Sequence, residues 1–229
     1  PYIMRKAWCS GMPFYVDERV LIPRSLFVEW IEKRFEPWID AEQVKDILEI
    51  GTGSACLAVL IALYFPEVQC DAVDIDEDAL AVAAINVARY AVEDQVNLLH
   101  SDVFSAIPSD KQYDIIVSNP PYVSALEMAT LPLEYRQEPR TALEAPEEGL
   151  AIVIRILQGA KQHLRGGGIL LIEVGNSAEA LQTRFPTLPF TWLVALPLVS
   201  RIVNVIVATG SLDPPPVVVP PPPKMPASP

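Results

Sequence analysis

Cysteine and histidine are scarce in this 229-residue chain: Cys9, Cys56 and Cys70 are odd in number and form no CxxC pair, and His100 and His163 are the sole histidines. Neither a disulfide framework nor a metal site is indicated, and a reducing, cytoplasmic compartment is the expectation. Positive charge is also short, with 17 basic residues against 29 acidic ones and a formal charge of −12. A protein that grips nucleic acid by its phosphates needs the opposite balance, so a basic protein partner fits better and direct nucleic-acid contact is not expected. The longest uncharged apolar run, 55–65, is too short to span a bilayer, so no membrane contact is expected either. No signal peptide is read in residues 1–11, and an opening proline without methionine suggests a fragment with an unseen upstream part.

What remains is the composition of a globular protein, half hydrophobic and one fifth charged, with enough chain for one sizeable core. The C-terminus departs from it. Nine of the 23 prolines lie within 214–229, a composition that predicts an extended polyproline-type tail outside the fold.

Short apolar runs alternate with helical patterns along the rest of the chain. Residues 45–51 read as a strand ending at glycine, and 55–65 as a buried helix stopped by Pro66. The unit repeats with a strand at 70–73 and an alanine-rich helix at 77–91. Strands are expected at 96–100, 113–118 and 168–174, helices at 149–164 and 177–184, and a turn at Gly166-Gly167-Gly168. Alternation of this kind predicts an α/β fold with a parallel sheet. The runs 191–196 and 202–208 are close enough to pair as an antiparallel hairpin at the sheet edge. Upstream, 14–22 reads as strand or hairpin and 25–38 as an amphipathic helix.

Chemistry gathers at the strand ends. Gly51-Thr52-Gly53-Ser54 follows the first strand, where missing side chains let backbone approach a ligand and the next helix offers free N–H groups. A dinucleotide fingerprint would place glycine or alanine at Cys56, which weakens a pyrophosphate reading. Asp74, at the end of the second strand, is placed to accept both hydroxyls of a ribose. Asp102, after the third, is placed for an adenine amino group, with Val103 or Phe104 against the ring. Each aspartate alone is more often a solvated loop residue, but three such features in order are not. Asn119-Pro120-Pro121-Tyr122 follows the apolar run 115–118. It presents an amide oxygen beside a rigid carbonyl, since proline fixes φ and has no N–H. Two acceptors on a stiff turn can hold an NH₂ group, which suits methyl transfer to a planar nitrogen; the bland alternative is a simple chain reversal. Residues 123–148 carry six glutamates with Arg136 and Arg140, either a substrate-docking flap or a solvated loop. Arg19 and Arg24 read as ligand-orienting groups or surface ion pairs, and Glu173 as a structural hydrogen-bond acceptor.

The series Glu49-Ile50-Gly51-Thr52-Gly53-Ser54, Asp74-Ile75-Asp76, Ser101-Asp102-Val103-Phe104 and Ser118-Asn119-Pro120-Pro121-Tyr122-Val123 resembles the HemK-type protein N(5)-glutamine methyltransferases over about residues 8–193. Phe14 to Ser25, Leu131 to Pro139 and Glu173 to Ser177 resemble the branch acting on ribosomal protein L3 of the large subunit. The resemblance implies a Rossmann-like fold with a mostly parallel seven-stranded sheet, helices on both faces and an antiparallel edge strand. It implies S-adenosylmethionine as methyl donor, S-adenosylhomocysteine as product, and no metal. The cofactor would meet Glu49, Gly51, Thr52, Gly53, Ser54, Asp74, Ile75, Asp102, Val103 and Asn119. Asn119 and Pro120 would be catalytic, and Asn119, Pro120, Pro121 and Tyr122 would bind the glutamine of a basic ribosomal protein. The implied division is an entry segment at 1–40, leading from a missing N-terminal helical domain, a methyltransferase domain at 41–212 and a disordered proline-rich tail at 213–229.

Two departures bear on activity. Ala55 stands where the family usually has glycine, which is expected to put a methyl group beside the methionine portion of the cofactor. Leu196 to Arg201 replaces a glycine-rich loop before the last strand. The competing readings are a release-factor glutamine methyltransferase, a nucleic-acid adenine-N(6) methyltransferase and an inactive cofactor-binding module.

Overall fold

The computed structural model describes residues 1–132, 135, 137–193 and the backbone of 205–208; Leu133, Glu134, Arg136, residues 196–201 and the proline-rich tail lie outside the described residues. Its main sheet contains β3 (Asp46–Ile50), β4 (Gln69–Asp74), β5 (Val96–His100), β6 (Tyr113–Ser118), β7 (Leu164–Ile172), β8 (Thr191–Trp192) and β9 (Val205–Ala208). Their order is β5-β4-β3-β6-β7-β9-β8. The pairs from β5 to β7 are parallel, whereas β9 runs antiparallel to both neighbours. The antiparallel strand therefore sits one place in from the edge.

Helices α2 (Cys56–Tyr64), α3 (Glu77–Arg89), α5 (Ala151–His163) and α6 (Ala178–Arg184) follow or precede these strands, and α4 (Ala125–Met128) is a single capped turn. Successive strand residues point to opposite faces, which divides the core. Ile115 and Val117 of β6 and Ile169 and Leu171 of β7 join α2 on one side, whereas Ile116, Leu170 and Ile172 join α5 and α6 on the other. Helix α2 is buried from Cys56 to Ala62. It needs no polar face because the entry segment covers its outer side, with Phe14, Phe27, Ile31 and Phe35 in the same cluster.

The entry segment differs most from expectation. Its hairpin is β1 (Ala7–Cys9) and β2 (Met12–Phe14), turned through left-handed Ser10 and Gly11, and most of 14–22 has no strand. There, backbone pairing is supplied by a side chain: Asn86 of α3 accepts from Tyr15 N and donates to Tyr15 O. The expected helix 25–38 is only α1 (Phe27–Glu32), because Arg34 and Phe35 adopt positive φ before Pro37. Gly166-Gly167-Gly168 does not form a separate turn. It lies within β7, where the pairing with β6 shifts register between Tyr113 and Ile115, and a Cβ on Gly168 would meet Asp114 O at 2.8 Å.

Candidate active site

The chain order winds from β3 outward to β5 and then back across to β6 and β7, so β3 and β6 are adjacent although far apart in sequence. Their C-terminal ends border the crevice that open α/β sheets use for ligands. A cavity of about 370 Å³ lies there, and a smaller one of about 180 Å³ adjoins it. Leu21, Arg24, Asn119, Pro120 and Ala142 line both.

The glycine turn forms the floor of the larger cavity. Gly51 and Thr52 donate their N–H groups to Val73 O at 2.8 and 3.0 Å, and Gly51 and Gly53 hold φ of 75° and 54°. Gly53 N donates to Asp74 Oδ2 at 2.8 Å and Asp76 N to Asp74 Oδ1 at 3.1 Å. Burial pushes the Asp74 carboxyl up, although these amides favour its charged form. Below the turn, Glu49 Oε2 accepts from Thr52 Oγ1 at 2.7 Å and Ala58 N at 3.0 Å, tying the strand end to α2. Complete burial pushes Glu49 up to about 8, with those hydrogen bonds opposing the shift. Ser54 lines the cavity, and its carbonyl accepts from Asn86 Nδ2 at 2.9 Å. Ala55 differs from expectation: its φ is 58°, it is fully buried in the α2 cluster, and it does not line the cavity. Its methyl group fills core.

At the far end, Ile75, Asp102 and Val103 line the cavity. Ser101 Oγ donates to Val103 O, and Asp102 N donates to Ser105 Oγ, both at 3.0 Å, a tight turn that holds Val103 at φ 56°. A β-branched residue rarely takes that conformation, and such strain gathers at functional sites. Phe104 is turned away, stacked on His163 with ring centroids 4.8 Å apart and seated on Gly159. Asp102 has a partner that the sequence did not suggest, Arg155 of α5 at 2.8 Å.

The Asn119 turn separates the two cavities. Ser118 Oγ donates to Ile50 O at 2.8 Å, fixing the end of β6 against β3. Neither the Asn119 side chain nor the Pro120 carbonyl has a hydrogen-bond partner among the described residues. Pro121 lines the larger cavity and Tyr122 the smaller. The turn is seated by two glycines: a Cβ on Gly149 would meet Tyr122 O at 2.1 Å, and one on Gly175 would meet the Tyr122 ring at 2.5 Å. Residues 143–145 are zipped to Val123 through Val123 N to Leu143 O at 2.8 Å and Ala145 N to Val123 O at 3.0 Å. Thr141, Ala142, Glu144 and Pro146 thereby wall the larger cavity, so part of the acidic segment is built into the site.

Arg19 and Arg24 are both paired. Arg19 holds Asp17 at 2.6 Å, and Arg24 holds buried Glu138 at 2.7 Å with the Tyr135 ring 4.9 Å away. Glu173 accepts from Ser25 Oγ and Leu26 N, joining β7 to the entry segment, and burial pushes it up to about 6. The sequence reading missed Asn86, Glu138 and Arg155. A polar residue interrupting the apolar runs 79–87 and 151–157 was the available signal for Asn86 and Arg155; Glu138 gave none.

Residues 25–134 match the family model described as methyltransferase small domain. The fold and this match liken the chain to proteins of the methyltransferase class. The chain is 44% identical over 194 residues to the ribosomal protein uL3 glutamine methyltransferase of Francisella tularensis, covering 84% of this chain and 62% of that protein. It is equally 44% identical over 199 residues to the Burkholderia pseudomallei protein of the same name, covering 84% and 65%. It is similar to that family of proteins across the residues they share, and spans just under two thirds of the length of these curated relatives. Among solved structures it is similar to the human METTL16 catalytic domain in complex with an RNA hairpin, at TM-score 0.66 and 18% identity over 86% of this chain and 76% of that one. The METTL16 N-terminal domain in complex with SAH gives TM-score 0.62 at 18% identity, with the same coverage. At such identity the likeness concerns the fold.

Proposed function

We propose that this chain is the catalytic portion of an S-adenosylmethionine-dependent methyltransferase that methylates the side-chain amide nitrogen of a glutamine in ribosomal protein uL3. The observation that carries this reading is the pair of unengaged acceptors, Asn119 Oδ1 and the Pro120 carbonyl, on a seated turn between two adjoining cavities. The names of the relatives support the substrate. Residues 41–212 are assigned as the catalytic unit, 1–40 as its entry segment and 213–229 as a tail outside it.

The larger cavity fits the methyl donor. Its volume suits a nucleoside-bearing ligand, its floor is a left-handed glycine turn that side chains would obstruct, and carboxylates stand at both ends. Asp74 keeps lone pairs for ribose hydroxyls beyond the two amides it already accepts. Gly51, Thr52, Gly53 and Ser54, with Glu49 beneath them, would face the methionine portion, and Ile75, Asp102 and Val103 the base. When bound, S-adenosylmethionine supplies an electrophilic methyl group.

An amide nitrogen is a poor nucleophile because its lone pair is delocalised into the carbonyl. Asn119 Oδ1 and the Pro120 carbonyl accept its two hydrogens and hold its lone-pair face toward the larger cavity. Positioning of this kind removes much of the barrier. The same acceptors stabilise positive charge as it develops on nitrogen, an interaction stronger in the transition state than in the ground state. The surplus proton then leaves to water. Tyr122, resting on Gly175, forms a wall for the glutamine side chain, and Pro121 stiffens the turn.

Mixing the chain with radiolabelled S-adenosylmethionine and purified uL3, with release factor and DNA as parallel substrates, tests the reading. Label is expected on uL3. Label on DNA alone, or on release factor alone, overturns the substrate assignment; absence of cofactor binding by calorimetry overturns the enzyme reading itself.

A further inference from the structure

Arg155 interrupts an apolar stretch of α5 and lines the larger cavity at its Asp102 end. Its Nη2 forms an ion pair with Asp102 Oδ2 at 2.8 Å, with both side chains 44% exposed. An ion pair so exposed adds little to stability. Its geometry does more. The Asp102 backbone is already fixed by the Ser101 and Ser105 hydroxyls, so only the side-chain torsions remain to be set. Arg155 sets them by engaging Oδ2, while Oδ1 has no partner among the described residues. Ile75, Val103 and Ile152 give this end of the cavity apolar walls suited to a flat ring.

We propose that Arg155 is a positioning residue for the nucleoside: by holding Oδ2 of Asp102 it presents Oδ1 to the 6-amino group of adenine, and so makes the site select a 6-aminopurine over a 6-oxopurine. The inference rests on the S-adenosylmethionine reading of this cavity. An ionised carboxylate only accepts hydrogen bonds, so it attracts an amino group and repels a carbonyl oxygen at the same position. A carboxylate free to rotate into solvent makes that distinction weakly, whereas one held by a guanidinium, which stays charged at all working pH, makes it well.

Calorimetric titration of the full chain with S-adenosylhomocysteine and with S-inosylhomocysteine provides the test. Wild type is expected to prefer the adenine compound by about tenfold or more, the range of one hydrogen bond to a charged acceptor. Arg155→Met is expected to cut that ratio by about threefold or more, mainly through weaker adenine binding, and Arg155→Lys to restore part of it. A merely structural role would lower both affinities and leave the ratio alone. Because the side chain is nearly half exposed, the variants should melt close to wild type. Should Arg155→Met fail to fold, Arg155→Lys decides: a ratio below wild type supports the proposal and an equal ratio overturns it. Equal wild-type affinities, or an unchanged ratio in Arg155→Met, overturn it while sparing the cofactor reading. Binding of neither compound to wild type overturns both.

Discussion

On the proposed reading, Asn119 is the residue at which ligand binding and chemistry should separate. Its amide faces both cavities and makes no hydrogen bond to the protein among the described residues, so its removal strands no partner. Asn119→Ala is expected to lower methyl transfer by about 100-fold or more while changing S-adenosylhomocysteine affinity by less than about threefold. Equal losses in turnover assays and calorimetry would refute the assignment. At Ala55 the opposite pattern is expected. Its left-handed backbone costs about 1–2 kcal/mol, but replacing it by glycine gives up a buried methyl worth about 0.8 kcal/mol and about 0.5–1 kcal/mol of backbone entropy. Ala55→Gly should therefore shift stability by less than about 1 kcal/mol and leave cofactor affinity unchanged, since the methyl group points into the core. A clear gain in affinity would show that the methyl group does reach the ligand. Glu49 gives a pH prediction. Its folded-state pKa, pushed up to about 8, lies above the ordinary value of 4.5. Between those values the folded state binds more protons than the unfolded one, so stability falls as pH rises. Glu49→Gln keeps the shape without the titration and should fall less steeply across that window; parallel curves from denaturant titration would exclude Glu49 as the cause.

At the scale of elements, glycines decide how the Asn119 turn is seated. Gly149 holds φ 85° with the Tyr122 carbonyl where a Cβ would go, and that carbonyl is backbone that cannot swing aside. Gly149→Ala should cost about 2 kcal/mol or more by overpacking and strain. Gly166→Ala, with nothing within 4 Å, should cost less than about 1 kcal/mol. Similar denaturation midpoints for the two variants would contradict the seating. The strands at 96–100 and 113–118 were legible to the residue, since their apolar runs are bounded by polar or turn residues. The entry segment was not. Outside β2 and α1, which carry Phe14, Phe27 and Ile31 over α2, its backbone is irregular, and burial there without period 2 or period 3.6 leaves no pattern to read.

Across the whole molecule, the charge of −12 would steer the basic substrate protein of the proposed function. Steering by that field weakens as salt shortens the screening length to about 8 Å at 0.15 M. Raising ionic strength should increase the KM for uL3 several-fold while leaving S-adenosylhomocysteine affinity nearly constant. A KM indifferent to salt would mean that shape, not charge, governs docking. No helix among the described residues is long and apolar enough to cross a membrane.

By itself the sequence determined the order of strands and helices and the chemistry at the strand ends. Glycine turns, prolines and the period of apolar residues are local properties of the chain, and parallel winding delivers every second strand end to one crevice. Tertiary structure decided the rest. It drew Asn86 to the backbone at Tyr15 and Ser54, paired Arg155 with Asp102, sent the Ala55 methyl into the core and turned Phe104 onto His163. Most of these outcomes depend on residues dozens of positions apart meeting at van der Waals or hydrogen-bond distance, and all depend on side-chain directions set by packing, which no local spacing records.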